Sequence, residues 1–210
     1  MNKLGDLSCN EFLTELASAA PAPGGGGGAA MAGALAAALA SMVANLTIGK
    51  EKFADREPEV KELLEQAEAE RVRLLALADE DAAVFNSFMS CYKLPKATDE
   101  EKAARTAAIR AAAKQAATVP LNIARSSFVV LKLADRLVVS GNPGVITDGA
   151  CSGLLARAAL RCAEYNVRIN LGLTKDEVWN EQAAAELKQL LADAEALETR
   201  LLAVTDKALQ

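Results

Sequence analysis

Hydrophobic residues recur at the spacing of an α-helix through most of this chain, and this periodicity restricts the fold more than any other feature. It is clearest between residues 58 and 91, where the apolar positions are Val60, Leu63, Leu64, Ala67, Val72, Leu75, Ala78, Ala82 and Phe85. Of the β-branched segments that would indicate strands, Val129-Val130 and 137–139 stand out, and each is too short to outweigh its helical surroundings. We therefore expect an all-α protein.

The composition supports closely packed helices. Hydrophobic residues make up 51% of the 210 residues but aromatic residues only 4%, and alanine supplies about a fifth of the chain. Alanine is the best helix former, and its small side chain lets neighbouring helix axes approach. The length suits one well-cored domain. We expect a single domain over residues 1–210, a bundle-like orthogonal assembly of six to seven helices.

Caps and breaks divide the chain into helices. The predicted helices span residues 8–20, 29–48, 58–91, 98–139, 147–170 and 174 towards the C-terminus. Capping boxes pair Ser8 with Glu11, Thr98 with Glu101 and Thr174 with Glu177, and Thr147-Asp148 caps the fifth helix. Pro120 either ends the fourth helix or kinks it. Three longer loops remain where a site would lie: the glycine segment, residues 49–57 and residues 141–146.

Charge and cysteine pattern exclude several classes of protein. The net charge of -5 and the pI near 5.0 oppose binding to nucleic acid or anionic membrane. The apolar stretch 29–48 is mostly alanine and glycine with two polar interruptions, so we expect a buried core helix rather than a membrane span. The four cysteines form no Cys-x-x-Cys motif, which disfavours disulfides and zinc and suits a cytoplasmic location.

Histidine is absent from the chain. Ser-His and Cys-His nucleophile pairs and imidazole metal ligands are therefore excluded. Any proton transfer must use a carboxylate, lysine, tyrosine, thiol or water.

Five consecutive glycines, Gly24 to Gly28, run directly into the alanine-rich helix. Glycine leaves backbone N–H groups accessible, and the first donors of a helix have no partner inside it. A flexible linker is the alternative, but only about 23 residues precede the run. We predict a structured loop that cradles an anion or a polar ligand.

Asp81 is the candidate acid-base group. Three acidic residues interrupt the long third helix at positions 79–81, and Asp81 lies in register with Ala78 and Phe85 of the apolar stripe. Burial would raise the pKa of this carboxyl towards the range used in general acid-base catalysis. The alternative is an exposed acidic patch that pairs with Arg71 or Arg73.

For each of the other polar candidates, a structural role and a ligand-binding role are both open. Lys50, Lys52 and Lys96 are either solvated helix-end charges or a clamp for a polyanionic ligand. Asn142 and Asp148 flank the Gly-Asn-Pro-Gly break and have either turn and capping roles or site roles. Asn166 and Asn170 lie four residues apart on one helix face, where they either join helices or contact a ligand.

Seven segments in order resemble the cyclodeaminase/cyclohydrolase family, which includes the C-terminal domain of formiminotransferase-cyclodeaminase and bacterial methenyltetrahydrofolate cyclohydrolases. They are Pro21 to Gly26, Met42 to Phe53, Asp79 to Phe85, Leu94 to Thr98, Gly141-Asn142, Thr147-Asp148 and Tyr165 to Leu171. The resemblance covers nearly the whole chain. Gly27 replaces the serine usual in the family, and Thr147 replaces another but keeps a hydroxyl.

The resemblance implies a dimer-forming helical enzyme that acts on tetrahydrofolate derivatives through a 5,10-methenyl amidinium, as a cyclohydrolase, a cyclodeaminase or both. It assigns the catalytic role to Asp81. It implies substrate contacts at Gly24, Gly25, Gly26, Gly27, Lys50, Lys52, Lys96, Asn142, Asp148, Asn166 and Asn170, with the lysines meeting glutamate carboxylates. It implies no metal and no cofactor beyond the folate substrate. The alternative is a non-catalytic helical module that binds folate or another anion.

Overall fold

A computed structural model of the protein describes residues 3–210, and six α-helices form the fold. They are α1 (Cys9–Leu16), α2 (Gly24–Asn45), α3 (Glu57–Cys91), α4 (Asp99–Ser140), α5 (Ile146–Thr174) and α6 (Glu177–Ala208). Short 3₁₀ turns cover Leu4–Asp6, Glu51–Phe53 and Pro143–Val145. Residues 3–210 contain no β-strand, so the all-α prediction is confirmed.

Helix α2 lies in the core, where it packs against α3, α4 and α5. Its alanines Ala30, Ala36 and Ala37 are fully buried, and the Ser152 hydroxyl of α5 donates a 2.7 Å hydrogen bond to the carbonyl oxygen of Ala36. By length and composition alone α2 could cross a membrane, with a mean hydropathy of 1.7, yet 61% of that stretch is buried inside the protein. The interpretation as a core helix is confirmed.

Two of the three predicted capping boxes are present. Ser8 and Glu11 cap each other at the start of α1, and Thr98 and Glu101 do the same for α4. The third prediction is wrong. Helix α5 runs on to Thr174 and ends at Lys175, whose φ of 56° is left-handed, so Asp176 caps α6 instead.

The predicted start of α5 is also wrong. The 3₁₀ turn that begins at Pro143 leads directly into the helix at Ile146, so Thr147 and Asp148 occupy its first turn rather than its cap. The cap residue is Val145, which has no capping side chain. Asp148 keeps a favourable position for its charge, because acidic groups in a first turn oppose the positive end of the helix dipole.

Helix α4 continues through Pro120, which does not end it. Proline has no N–H, so it cannot donate to the carbonyl oxygen four residues earlier, that of Ala116. Burial of Ala117 and Leu121 on either side holds the two halves of the helix in the core. Tertiary packing therefore overrides the local tendency of proline to break a helix.

Candidate active site

The glycine run is the start of α2, which corrects the prediction of a loop. The helix begins at Gly24, five residues earlier than predicted, and the Gly27 N–H already donates to the Pro23 carbonyl oxygen at 3.1 Å. Gly24 has a φ of 56°, a left-handed conformation that favours glycine. The cap residue Pro23 supplies no side-chain hydrogen bond, and the N–H groups that precede Gly27 have no partner inside the helix.

Asp81 on α3 lies against this helix start. A β-carbon built on Gly26 would overlap the Asp81 carboxylate, lying 2.5 Å from its Cγ and from one oxygen. Glycine is the residue that permits such an approach between α2 and α3. The third helix therefore presents its carboxylate to the free N–H groups and the positive dipole end of α2.

Burial raises the pKa of Asp81 to about 6, because removal of water disfavours the charged carboxylate. The backbone N–H of Gly27 favours the charged form and opposes part of this rise. A carboxyl group with this pKa exchanges protons readily near neutral pH, as general acid-base catalysis requires. The alternative for Asp81, an exposed acidic patch that pairs with Arg71, is not formed, because Arg71 pairs with Glu68 at 2.7 Å.

A cleft of about 290 Å³ opens beside Asp81, between α3, α4 and α5. It is lined by Asp81, Val84, Phe85, Phe88, Ala116, Asn166, Ile169, Asn170 and Leu173. Most of the lining is apolar or aromatic, three side chains are polar, and the lining includes no lysine or arginine. A flat, hydrogen-bonding heterocycle or a cation suits these walls better than an anion does.

Asn166 and Asn170 of α5 face the cleft, opposite α3. The Asn166 amide nitrogen donates to the Cys162 carbonyl oxygen at 2.9 Å, and a β-carbon on Gly25 would lie 3.5 Å from that nitrogen. The Asn170 amide nitrogen donates to two carbonyl oxygens, those of Ala116 at 3.0 Å and Asn166 at 2.9 Å. The structure thus brings Gly24 to Gly27, Asp81, Asn166 and Asn170 together.

The other predicted residues lie elsewhere in the chain. Lys50, Lys52 and Asn142 lie beyond the C-terminal end of α2, and 22 helical residues separate the two ends by about 33 Å. Asp148 lies in the first turn of α5, which follows the segment of Asn142. Lys96 is exposed in the turn between α3 and α4. A single chain does not bring these residues to the Asp81 cleft, and their contact with substrate stays a prediction.

Asn142 has a structural role at its own location. It is 8% exposed, its N–H donates to Thr47 Oγ1 at 2.9 Å, and its amide nitrogen donates to the Leu46 carbonyl oxygen at 3.1 Å. Its side-chain oxygen accepts from the Gly144 N–H at 3.0 Å. These bonds fasten the break after α4 to the end of α2, in agreement with the conformational alternative.

Sequence reasoning missed six lining residues as site residues: Val84, Phe85, Phe88, Ala116, Ile169 and Leu173. Five of them share a helix face with residues that it did select. Phe88 lies seven residues after Asp81, and Leu173 lies seven after Asn166, which is two helical turns in each case. Ala116 carries no such signal, because only the packing of α4 against α5 brings it to the cleft.

Among residues 3–210, no group of three histidine, cysteine, aspartate or glutamate side chains could hold a metal ion. The polar groups of the cleft are a carboxylate and two amides, and the start of α2 lies against the carboxylate. They can transfer protons, accept hydrogen bonds and stabilise a positive charge.

The chain is similar to proteins of known activity. Residues 8–189 match the family described as formiminotransferase-cyclodeaminase. A methenyltetrahydrofolate cyclohydrolase of Methylorubrum extorquens is 45% identical over 197 residues, which cover 94% of this chain and 95% of that protein. The formimidoyltransferase-cyclodeaminase of Rattus norvegicus is 33% identical over 189 residues, 90% of this chain but 35% of the longer relative.

A solved structure has the same fold. The crystal structure of formiminotetrahydrofolate cyclodeaminase from Thermotoga maritima matches with a TM-score of 0.88 and 31% sequence identity. The match covers 98% of both chains, so the whole helical arrangement is shared.

Proposed function

The chain belongs to the formiminotransferase-cyclodeaminase family, and we propose that it is a tetrahydrofolate one-carbon enzyme with Asp81 as general acid-base. Its reaction is that of a methenyltetrahydrofolate cyclohydrolase, a formimidoyltetrahydrofolate cyclodeaminase, or both. One observation carries the proposal: the partly buried Asp81 carboxylate, with a pKa near 6, faces a cleft without basic side chains. Such a group suits a cationic one-carbon unit.

In the cyclohydrolase reaction, water adds to the amidinium carbon of 5,10-methenyltetrahydrofolate while the Asp81 carboxylate takes one of its protons. The adduct then breaks its bond to N5, and N5 receives that proton from Asp81. The hydroxyl proton of the adduct leaves to solvent as the carbonyl forms. The products are 10-formyltetrahydrofolate and one proton, and Asp81 returns to its ionised form.

In the cyclodeaminase reaction, N10 of the protonated 5-formimidoyl substrate attacks the formimidoyl carbon and gives its proton to Asp81. The amino nitrogen of the adduct then takes this proton, and its bond to carbon breaks. Ammonia leaves, and the 5,10-methenyl amidinium remains. The same carboxylate can thus serve both reactions, because each passes through the same cation and needs one proton carrier.

The walls of the cleft support this assignment. Phe85 and Phe88 offer aromatic surface to a pterin ring, and Asn166 and Asn170 offer amide groups to its N–H and carbonyl edges. The N–H groups at the start of α2 can donate hydrogen bonds to a carbonyl or carboxylate oxygen of the substrate. No further cofactor enters the proposed chemistry.

Turnover assays with purified protein test the proposal. We expect loss of the 5,10-methenyltetrahydrofolate absorbance, or its appearance from the 5-formimidoyl substrate. Absence of both would contradict the proposal and favour the alternative, a non-catalytic helical module that binds folate or another anion. Thermal shift with tetrahydrofolate derivatives would then decide whether any ligand binds.

We further propose that two chains form a homodimer through the outer face of α2. Leu35 and Met42 are 58% and 44% exposed on this face although they lie on a core helix. In a two-fold interface each contact occurs twice. A two-fold axis at Leu35 would pair the two helices antiparallel and place Lys50 and Lys52 of one chain near Gly24 of the other, where they could meet the glutamate carboxylates of folate.

Mixed dimers test this arrangement. One variant carries Asp81→Asn and the other carries Lys50→Glu with Lys52→Glu, and each should be impaired alone. An equal mixture should recover about a quarter of wild-type kcat/KM, because half of the dimers are then mixed and each mixed dimer holds one complete site of two. A matched mixture of Asp81→Asn and Gly26→Ala chains should recover no activity, since both residues belong to the same cleft of the same chain. No recovery in the first mixture, or a monomeric wild-type protein, would contradict the dimer proposal and leave the cleft chemistry intact.

A further inference from the structure

Pro120 lies inside α4, away from both ends of the helix, and is buried. Because it lacks an N–H, the carbonyl oxygen of Ala116 has no intrahelical donor. The Asn170 amide nitrogen of α5 takes that place, 3.0 Å from the Ala116 oxygen. We propose that Pro120 is a positioning residue of the cleft: it reserves this carbonyl for Asn170 and so fixes how Asn170 faces the substrate.

The surroundings of Asn170 fix the orientation of its amide. Both close neighbours, Ala116 O and Asn166 O, are carbonyl oxygens and can only accept. The NH₂ group must therefore face them, and its two protons are both used. The side-chain oxygen of Asn170 is left as an acceptor in the cleft that it lines with Asp81.

An ordinary residue at position 120 would change this arrangement. Its N–H would donate to Ala116 O, as in any α-helix, and that oxygen would be shared with the Asn170 amide, whose bond to it would weaken. With one of its two anchors weakened, the Asn170 amide could turn. The cleft would then lose a fixed acceptor for an N–H group of the substrate, and this consequence rests on the proposed function.

Pro120→Ala tests the inference, with Pro58→Ala as a matched control. Pro58 lies in the first turn of α3, where the N–H is not needed, so its replacement should leave turnover unchanged. We expect Pro120→Ala to lower kcat/KM about threefold to tenfold, the usual effect of losing one neutral hydrogen bond. Stability does not decide the matter, because the change removes a ring from the core and also improves helix propensity.

The deciding measurement is the dependence on Asn170. In an Asn170→Ala background, Pro120→Ala should cause no further loss, since the anchored side chain is already gone. Equal losses in both backgrounds, or unchanged kcat/KM in Pro120→Ala, would overturn the inference.

Amide hydrogen exchange gives a test that needs no turnover. The side-chain NH₂ signal of Asn170, identified by its absence in Asn170→Ala, should exchange slowly in the wild type and in Pro58→Ala. It should exchange faster in Pro120→Ala. Equal exchange in Pro120→Ala and wild type would overturn the inference even if the protein has a function other than the proposed one.

Discussion

Gly26 of α2 and Asp81 of α3 touch so closely that no side chain fits on Gly26. A β-carbon there would lie 2.5 Å from Asp81 Cγ and would overlap the carboxylate. This contact places an acid-base group directly at a helix start, and it explains why the chain accepts glycine in a helix, where glycine is disfavoured.

Gly26→Ala should lower kcat/KM by at least tenfold, because the added methyl pushes the Asp81 carboxylate out of position. Gly28→Ala is the matched control. A β-carbon at Gly28 would have Leu16 as its nearest neighbour at 4.0 Å, so alanine fits and should raise the free energy of unfolding by about 0.5 to 1 kcal/mol. Steady-state kinetics and urea unfolding measure both effects. Similar activity in the two variants would contradict the tight contact.

Asp81→Asn should lower kcat by about 10² to 10⁴, the usual contribution of a positioned proton carrier. Asparagine keeps the shape and the acceptor for the Gly27 N–H, so the affinity for folate should change much less. Stopped assays and ligand titration by calorimetry give the two values. Retention of more than a tenth of wild-type kcat would remove Asp81 from the proposed role.

The activity should depend on pH through Asp81. Its pKa is raised to about 6, and the ionised form accepts the first proton. We expect kcat/KM to be level above pH 7 and to fall about tenfold for each pH unit below 6. The residual activity of Asp81→Asn, corrected for the uncatalysed reaction, should lack this step. An identical step in both proteins would assign the pKa to another group.

The raised pKa also predicts the pH dependence of stability. Between pH 3.8 and about 6 the folded protein holds the Asp81 proton while the unfolded chain releases it, so stability falls as pH rises. The full loss of stability across this range is about 3 kcal/mol. Asp81→Asn removes this pH dependence, so the stability of the variant relative to wild type should be higher at pH 7.5 than at pH 4. Urea unfolding of the two proteins at both pH values measures this difference, and an equal stability difference at both would contradict the raised pKa of Asp81.

Asn142→Ala should destabilise the protein by about 1 to 3 kcal/mol, because the buried Asn142 side chain loses its hydrogen bonds with Leu46 and Gly144. The main-chain bond of Asn142 to Thr47 should survive the change. Thermal unfolding measures the loss. Thr47→Val in the same background should add its own loss, which separates the main-chain bond from the side-chain bonds.

The sequence alone determined the helical fold class and most helix positions, and it singled out Asp81 on the apolar stripe of α3. These properties depend on side chains close together along the chain: a period of 3.6 residues, caps such as Ser8 and Thr98, and a carboxylate on an apolar stripe. It also placed Asn166 and Asn170 on one face, since residues four apart in a helix are neighbours.

Only the tertiary structure decided which of these residues meet. Local propensity argued for a loop at Gly24 and left open whether α4 ends at Pro120, but packing of α2 against α3 and of α4 against α5 kept both segments helical. Asp81 lies against the start of α2 and Lys50 lies beyond its end, so the length of this helix keeps the two residues apart within one chain. Contacts between helices depend on shape and burial summed over the whole core, and no short window of sequence contains that information.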